Sequence, residues 1–402
     1  MFGDLEELTL KKTLIVVAAL VIGLLVVLTL AKEKNIPDSS LLSLKEISGK
    51  DILENTKAII YLSTTADQDI DNKGLSYGVF VQEDHSVQAF PMNGLELGSI
   101  AVGNDQILLE DKNNISILGD QPKNFEMEKP QYTGERTGYL SNPDLFFSIY
   151  NSGFVENGYS SEVRYGDSKG FQVDTIPYYI AASGTTDNSV EILTQDLEEN
   201  QLHLKEVKFD NELNVKDITA VQTESKENMQ VLAPILSDES YYYMVLSTIT
   251  SDTSETVSLH RIHKESLKQD TFEFINYKDT DLTATIPYNY KNSAAIHNDK
   301  LFYINGLGDV YSFHLPSTTV KKEFSLENAE HSAERHNEET YFKSGELYVL
   351  RYSTNKKDPY YLETYSLEKG KLTDSMTIEG LDTIVTSSKN KKVYSYDLKV
   401  LK

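Results

Sequence analysis

The chain has 402 residues, with 62 acidic and 38 basic side chains, a formal net charge of −24, and neither cysteine nor tryptophan. So acidic a chain argues against a nucleic-acid backbone as its main ligand, and the absence of cysteine excludes disulfides and a lipid-modified N-terminal cysteine. Its stability has to come from a core of its own, which this length permits.

The first predicted element is an uncharged aliphatic run from Thr13 to Ala31, preceded by Lys11 and Lys12. Nineteen residues of helix span roughly 28 Å, close to the thickness of a bilayer's hydrocarbon core. The run therefore reads as one N-terminal transmembrane helix in contact with the lipid bilayer. The basic residues on its two sides nearly balance, so orientation rests on the short basic segment 1–12, which resembles a signal n-region and is expected in the cytoplasm. Thr29-Leu30-Ala31 is only a loose cleavage signal, which favours an uncleaved signal-anchor. The large domain is then extracytoplasmic, on a single-pass protein of the cell membrane, and a cysteine-free exported domain suits a bacterial cell envelope. Residues 32–56 read as a spacer holding a short apolar-periodic piece, Leu41 to Ile47, with folded structure expected from about Ala58.

From there the chain alternates short strands with Asp, Asn and Gly turns, and helical periodicity is nearly absent. Predicted strands include Ala58–Leu62, Gly78–Val81, Val87–Phe90, Gln106–Leu109 and Ile115–Leu118. Farther on, Tyr242–Leu246 leads into Val257–Ile262, Leu301–Ile304 into Val310–Leu315, and Leu347–Leu350 into Tyr361–Leu367. The outgoing strands of these three hairpins begin near 257, 310 and 361, while earlier candidates at Ile115 and Val190 lie farther apart. A four-stranded unit recurring about every 40–50 residues is the period of a β-propeller blade. The fold class expected for 57–402 is all-β, a six- to eight-bladed propeller behind one transmembrane helix; a β-sandwich pair or an irregular β-helix is the competing arrangement. Val393–Leu398 alternates as a strand at the very end of the chain. It either pairs with Ala58–Leu62 to close a ring or completes its own blade, and Tyr394 and Tyr396, on one face, are expected to be buried.

The segments Gly306–Leu315 (GLGDVYSFHL) and Lys391–Val400 (KKVYSYDLKV) resemble blade hairpins of the WD-like and quinoprotein-type β-propeller superfamily, in which a turn precedes an aromatic-alternating strand. The resemblance implies fold alone. Quinoprotein blades carry docking tryptophans and this chain has none, so that family's cofactor is not carried over.

Chemical motifs are sparse: there is no phosphate loop, no G-x-S-x-G elbow and no H-E-x-x-H. Asp67, Asp69 and Asp71 alternate like the first half of a calcium loop, but Asn72 stands where the glycine of such a loop belongs and Gly78 where its bidentate glutamate belongs. They form a weak calcium candidate beside the plainer reading of a solvated acidic loop, and no other cofactor is implied. Asp279 and Asp281 are weaker still. His260 and His263, three apart in a strand, face opposite ways. Glu330, His331, Glu334, His336 and Glu338 make the densest imidazole and carboxylate cluster, read as a charged surface loop ahead of a metal site.

Twenty-five Tyr and fifteen Phe, with runs at Tyr178-Tyr179, Tyr241 to Tyr243 and Tyr360-Tyr361, supply the remaining clue. In each run one ring is expected to pack and its neighbour to lie nearer solvent. A propeller face or channel lined by Tyr and carboxylates suits a sugar, a peptide or a basic polypeptide, so the expected function is extracytoplasmic binding or scaffolding that recognises an envelope protein, a peptide or a glycan. The alternative is a hydrolase or lyase of a cell-surface polymer, using paired carboxylates that the sequence leaves unassigned.

Overall fold

The computed structural model describes residues 36–402 apart from 38, 39, 48, 49, 157, 197–199, 211, 224–228, 252, 279–287, 328, 330–336 and 388–390. The apolar run 13–31 lies outside these residues, and no helix among the described residues is long and apolar enough to cross a membrane.

Seven antiparallel sheets form seven blades, settling the blade number within the expected range. Blade 1 is ordered Tyr394–Val400, Thr56–Ser63, Leu75–Gln82, Val87–Asn93, and blade 2 runs from Ile100–Gly103 outward to Lys123–Glu126. Blade 3 comprises Gly134–Leu140, Leu145–Val155, Gly158–Asp167 and Gly170–Ile176, and blade 4 runs from Tyr179–Thr185 to Leu213–Ala220. In blade 5 two short strands, Met229–Val231 and Leu236–Ser237, share the edge of Tyr241–Ser251, followed by Ser254–His263 and Gln269–Tyr277. Blade 6 runs from Ala294–His297 to Thr319–Ser325; blade 7 comprises Glu339–Lys343, Glu346–Tyr352, Tyr360–Ser366 and Lys371–Thr377. The first strands of successive blades lie side by side, as Glu339–Lys343 does with Tyr394–Val400 and Ile100–Gly103 with Gly134–Leu140, so they surround the ring axis.

The core is divided among seven apolar clusters, one at each seam between blades. Strand alternation produces this. Ala58, Ile60 and Leu62 face blade 7, while Ile59 and Tyr61 face blade 2, so a strand of blade 1 is apolar on both sides and reads as a continuous run. The three outgoing strands near 257, 310 and 361 are the third strands of blades 5, 6 and 7, which explains their regular interval. Ile115 belongs to the third strand of blade 2 and is equivalent to them, whereas Val190 opens the second strand of blade 4 and is not. The same sandwiching corrects the expectation for Tyr360-Tyr361: both rings are buried, because each side of the strand meets a neighbouring blade.

Ring closure joins the two ends of the chain. Tyr394–Val400 pairs antiparallel with Thr56–Ser63, Ala58 opposite Val400 and Ser63 opposite Tyr394. Tyr394 and Tyr396 are only partly buried, while Val393, Ser395 and Asp397 are buried. The expected faces were inverted because this strand is the innermost of its blade, and its first residues turn toward a central cavity. Folded structure also begins earlier than Ala58. Leu41 bridges Ala89, Leu42 N–H donates to Ala89 O at 2.8 Å, and Leu42 and Ile47 are buried in the seam between blades 1 and 2.

Candidate functional site

A cavity of about 1080 Å³ opens on the face where the first strands begin, with Gly134, Tyr179, Met229, Glu339 and Tyr394 at its wall. Its floor is a short segment that leads into the first strand of blade 6 and crosses toward the other blades. Asn289 Nδ2 donates to Glu339 Oε2 of blade 7 at 2.5 Å, and Asn292 Nδ2 to Asp397 Oδ1 of blade 1 at 2.7 Å. Lys291 Nζ donates to Ser99 Oγ, at the head of blade 2, at 2.7 Å and to Leu97 O; Ser293 Oγ donates to Leu232 O in blade 5 at 2.7 Å. Four residues thereby tie blade 6 to four others. The axis is bridged on the mouth side, and the cavity has the form of a bowl.

Charge in the bowl is mostly engaged. Arg136 Nε donates to Ser183 Oγ at 2.6 Å, and Ser183 Oγ donates to Glu135 Oε1 at 2.8 Å. Asp397 accepts from Ile100 N–H at 2.8 Å, Leu398 N–H at 2.9 Å and Asn292, and pairs with Lys399 at 3.2 Å. Burial pushes the Glu339 carboxyl up to about 8, helped by the negative charge of Asp397, so it is largely protonated at neutral pH. Burial likewise draws the Lys291 ammonium down to about 8. Glu338 differs from these groups. It is buried with 7% exposure, its Oε1 accepts from Arg351 Nε at 2.9 Å, and its Oε2 has no partner among the described residues.

Tyrosines form the rim: Tyr159, Tyr179, Tyr290, Tyr394 and Tyr396 line the cavity. Tyr159 and Tyr179 meet edge to face at 5.3 Å, and Phe154, at the tip of a blade 3 hairpin, meets Tyr159 at 5.1 Å. Among the described residues the exposed aromatics are Tyr132, Phe154, Tyr178, Tyr290 and Tyr352. Each either leads into a first strand or ends a second strand, so all five lie on the mouth face.

The calcium candidates do not converge. The Asp69 side chain is buried and forms an ion pair with the buried ammonium of Lys112, which also donates to Asn72 Oδ1 at 3.0 Å; Asp69 Oδ1 accepts from Gly74 N–H at 2.5 Å. Asp71 is exposed and lies 3.7 Å from Lys73, and Asp67 sits in a separate turn, Ala66–Gln68. A lysine therefore supplies the cation that the acidic loop calls for, and no group of three His, Asp or Glu among the described residues is arranged to hold a metal. Asp279, Asp281, Glu330, His331, Glu334 and His336 lie outside the described residues. Glu338, the last of that cluster, faces the bowl. His260 packs near Thr271, and His263 stacks edge-on against Tyr241 at 5.0 Å. Sequence reasoning missed Glu135, Arg136, Asn289, Lys291 and Glu339. The one available signal was Tyr288-Asn289-Tyr290-Lys291-Asn292, a polar and aromatic run just ahead of a strand.

The class of protein is thus a seven-bladed β-propeller closed by its C-terminal strand, with a bowl on its axis. The family model for the YycP beta-propeller domain matches residues 51–401, and the chain belongs to that family. It is 30% identical over 365 residues to the uncharacterized protein YycP of Bacillus subtilis (strain 168), covering 90% of this chain and 92% of that protein. Among solved structures, a hypothetical selenium-binding protein from Sulfolobus tokodaii aligns over 90% of this chain and 96% of its own, with a TM-score of 0.52 and 11% identity, a likeness of fold alone. Apo AztD from Citrobacter koseri aligns over 85% and 97%, with a TM-score of 0.44 and 9% identity.

Proposed function

We propose that this protein is a membrane-anchored extracytoplasmic binding or scaffolding module whose axial bowl receives part of an envelope protein, a peptide or a glycan. The observation that carries this reading is the tyrosine-rimmed bowl, bridged at its floor by Asn289–Ser293, on the face that bears every exposed aromatic among the described residues. Concave sites with aromatic walls and a few fixed polar groups are the usual form of ligand sites. The apolar run 13–31 supports anchoring. Because Thr56 begins a second strand, the chain reaches the ring at the face opposite the mouth, which supports a bowl turned away from the bilayer. Nucleic acid is disfavoured by the net charge of −24.

The rival reading, a hydrolase or lyase with paired carboxylates, has one observation behind it: protonated Glu339 lies near ionisable Asp397. Asp397, however, is held by two backbone amides, Asn292 and Lys399, and has no free face for a substrate.

Two measurements test the proposal. The full chain is expected to stay with membranes through carbonate washing, and external protease on intact cells is expected to degrade the large domain; recovery in the wash, or protection of the domain, reverses the localisation. In titration calorimetry against an N-acetylglucosamine tetrasaccharide and lysine-containing peptides, at least one probe is expected to bind, and Tyr179→Ala to weaken it. Heat from neither probe would overturn the assignment to the bowl.

A further inference from the structure

The cations of the bowl have partners, and one of its carboxylates has an oxygen without a donor. Arg136 is held by Ser183, and Lys291 by Leu97 O and Ser99. Glu338 keeps one oxygen on Arg351, while the other, Oε2, meets no donor although the residue is more than nine-tenths buried in the cavity wall. A buried acceptor without a donor carries the full cost of lost hydration, which a ligand N–H or O–H would relieve. The same cavity is lined by Tyr179, Tyr290, Tyr394 and Tyr396, and the π faces of such rings attract cations. The molecule already uses this contact on the mouth face, where Lys112 Nζ lies 5.2 Å from the Tyr132 ring centre, Lys205 Nζ 4.5 Å from that of Tyr178 and Lys356 Nζ 3.3 Å from that of Tyr361. A chain of charge −24 also concentrates cations near its surface. Because the floor is bridged, a side chain or a chain end fits the bowl better than a threaded polymer.

We infer that the bowl takes the ammonium group of a lysine side chain presented by a peptide, seated between Glu338 Oε2 and the rim tyrosines. This rests on the proposal that the bowl is a binding site, and it narrows the ligand from peptide or glycan to a cationic peptide.

The test is calorimetry on the full chain in lipid nanodiscs with three probes: the capped pentapeptide Gly-Gly-Lys-Gly-Gly, the same peptide Nε-acetylated on lysine, and an N-acetylglucosamine tetrasaccharide. The lysine peptide is expected to bind, acetylation to weaken it about tenfold or more, and Glu338→Gln to weaken the unmodified peptide by a similar factor. Acetylation is made on the ligand, so that comparison stands even if Glu338→Gln fails to fold. Equal binding of the two peptides, or binding of the tetrasaccharide alone, overturns the inference and leaves the binding role of the bowl intact. Binding of no probe overturns both.

Discussion

Blades 3 and 7 each bury an arginine, and the two centres are finished differently. In blade 3, Arg164 is fully buried: Nε donates to Glu162 Oε1 at 2.9 Å, NH2 to Lys129 O at 2.6 Å, and the guanidinium lies 4.6 Å from the Tyr150 ring centre. Tyr150 OH in turn donates to Glu110 Oε2 at 2.5 Å, and Thr137 Oγ1 donates to Glu110 Oε1. Both oxygens of Glu110 are thus used, and burial pushes its carboxyl up. In blade 7, Arg351 holds Glu338 at 2.9 Å and Glu363 at 3.0 Å, and Tyr365 OH donates to Glu363 at 2.9 Å. There Glu338 Oε2 is left over at the cavity wall. Similar chemistry is closed in one blade and open in the other, so a buried charge by itself marks no site; Glu338 is set apart by joining an unspent acceptor to a place on the cavity wall.

The largest expected effect comes from removing the closing strand. Deleting residues 392–402 strips blade 1 of its innermost strand and blade 7 of its neighbour. The thermal midpoint is expected to fall by more than about 10 °C, or the protein to aggregate, with amide exchange rising first in blades 1 and 7 and last in blade 3. Uniform loss of protection would show that the two arginine centres share one fate.

Arg164→Met leaves Glu162 buried without its partner and is expected to cost about 3–5 kcal/mol in urea denaturation, with peptide binding by the folded fraction unchanged. Arg351→Met is expected to cost a comparable amount and to abolish that binding as well, since Glu338 loses the group that orients it. Retained binding in Arg351→Met would break the distinction between the two blades.

Proton linkage gives a smaller effect. Burial raises Glu191 to about 7, Glu255 to about 7 and Glu339 to about 8. A carboxyl whose folded value lies above its unfolded one stabilises fully below the unfolded value, and that contribution is lost as pH rises through the folded value. Stability is therefore expected to decline between pH 5 and 8. Glu191→Gln, in blade 4 on the side that faces Tyr242 and Lys264 of blade 5, should flatten the decline by about 1–3 kcal/mol. His260, lowered to about 4 by burial, acts in the opposite sense, its contribution being lost as pH falls below about 6. A flat stability profile from pH 5 to 8 would remove the carboxylates from this account. Phe154→Ser, on a tip with 78% exposure, should change stability by less than about 0.5 kcal/mol in a thermal melt.

The strands were legible wherever both faces were apolar, as in Ala58–Leu62, or where aromatics alternated, as in Val310–Leu315. That Val393–Leu398 is a paired strand was legible too, while the sequence left its partner open between Ala58–Leu62 and its own blade, and the structure pairs it with the former. What misled was position along the radius: an innermost strand meets a cavity and not a third blade, so Tyr394 and Tyr396 turned out half open. The bowl itself was hidden because its floor comes from a polar pre-strand segment and its walls from residues some 200 apart, such as Glu135 and Glu339. Of its residues Tyr179, Tyr394, Tyr396 and Glu338 had been singled out, Glu338 for its neighbours in sequence instead of its neighbours in space.

The closing pair of strands also has a mechanical meaning. A pull on something seated in the bowl, resisted where the chain joins the ring on the opposite face, would draw Tyr394–Val400 lengthwise along Thr56–Ser63. Antiparallel ladder bonds lie across the strands, so such a load stretches all of them together instead of opening them one at a time. The clasp of this ring is thus oriented as a lap joint, which resists tension far better than a hinge built from the same bonds.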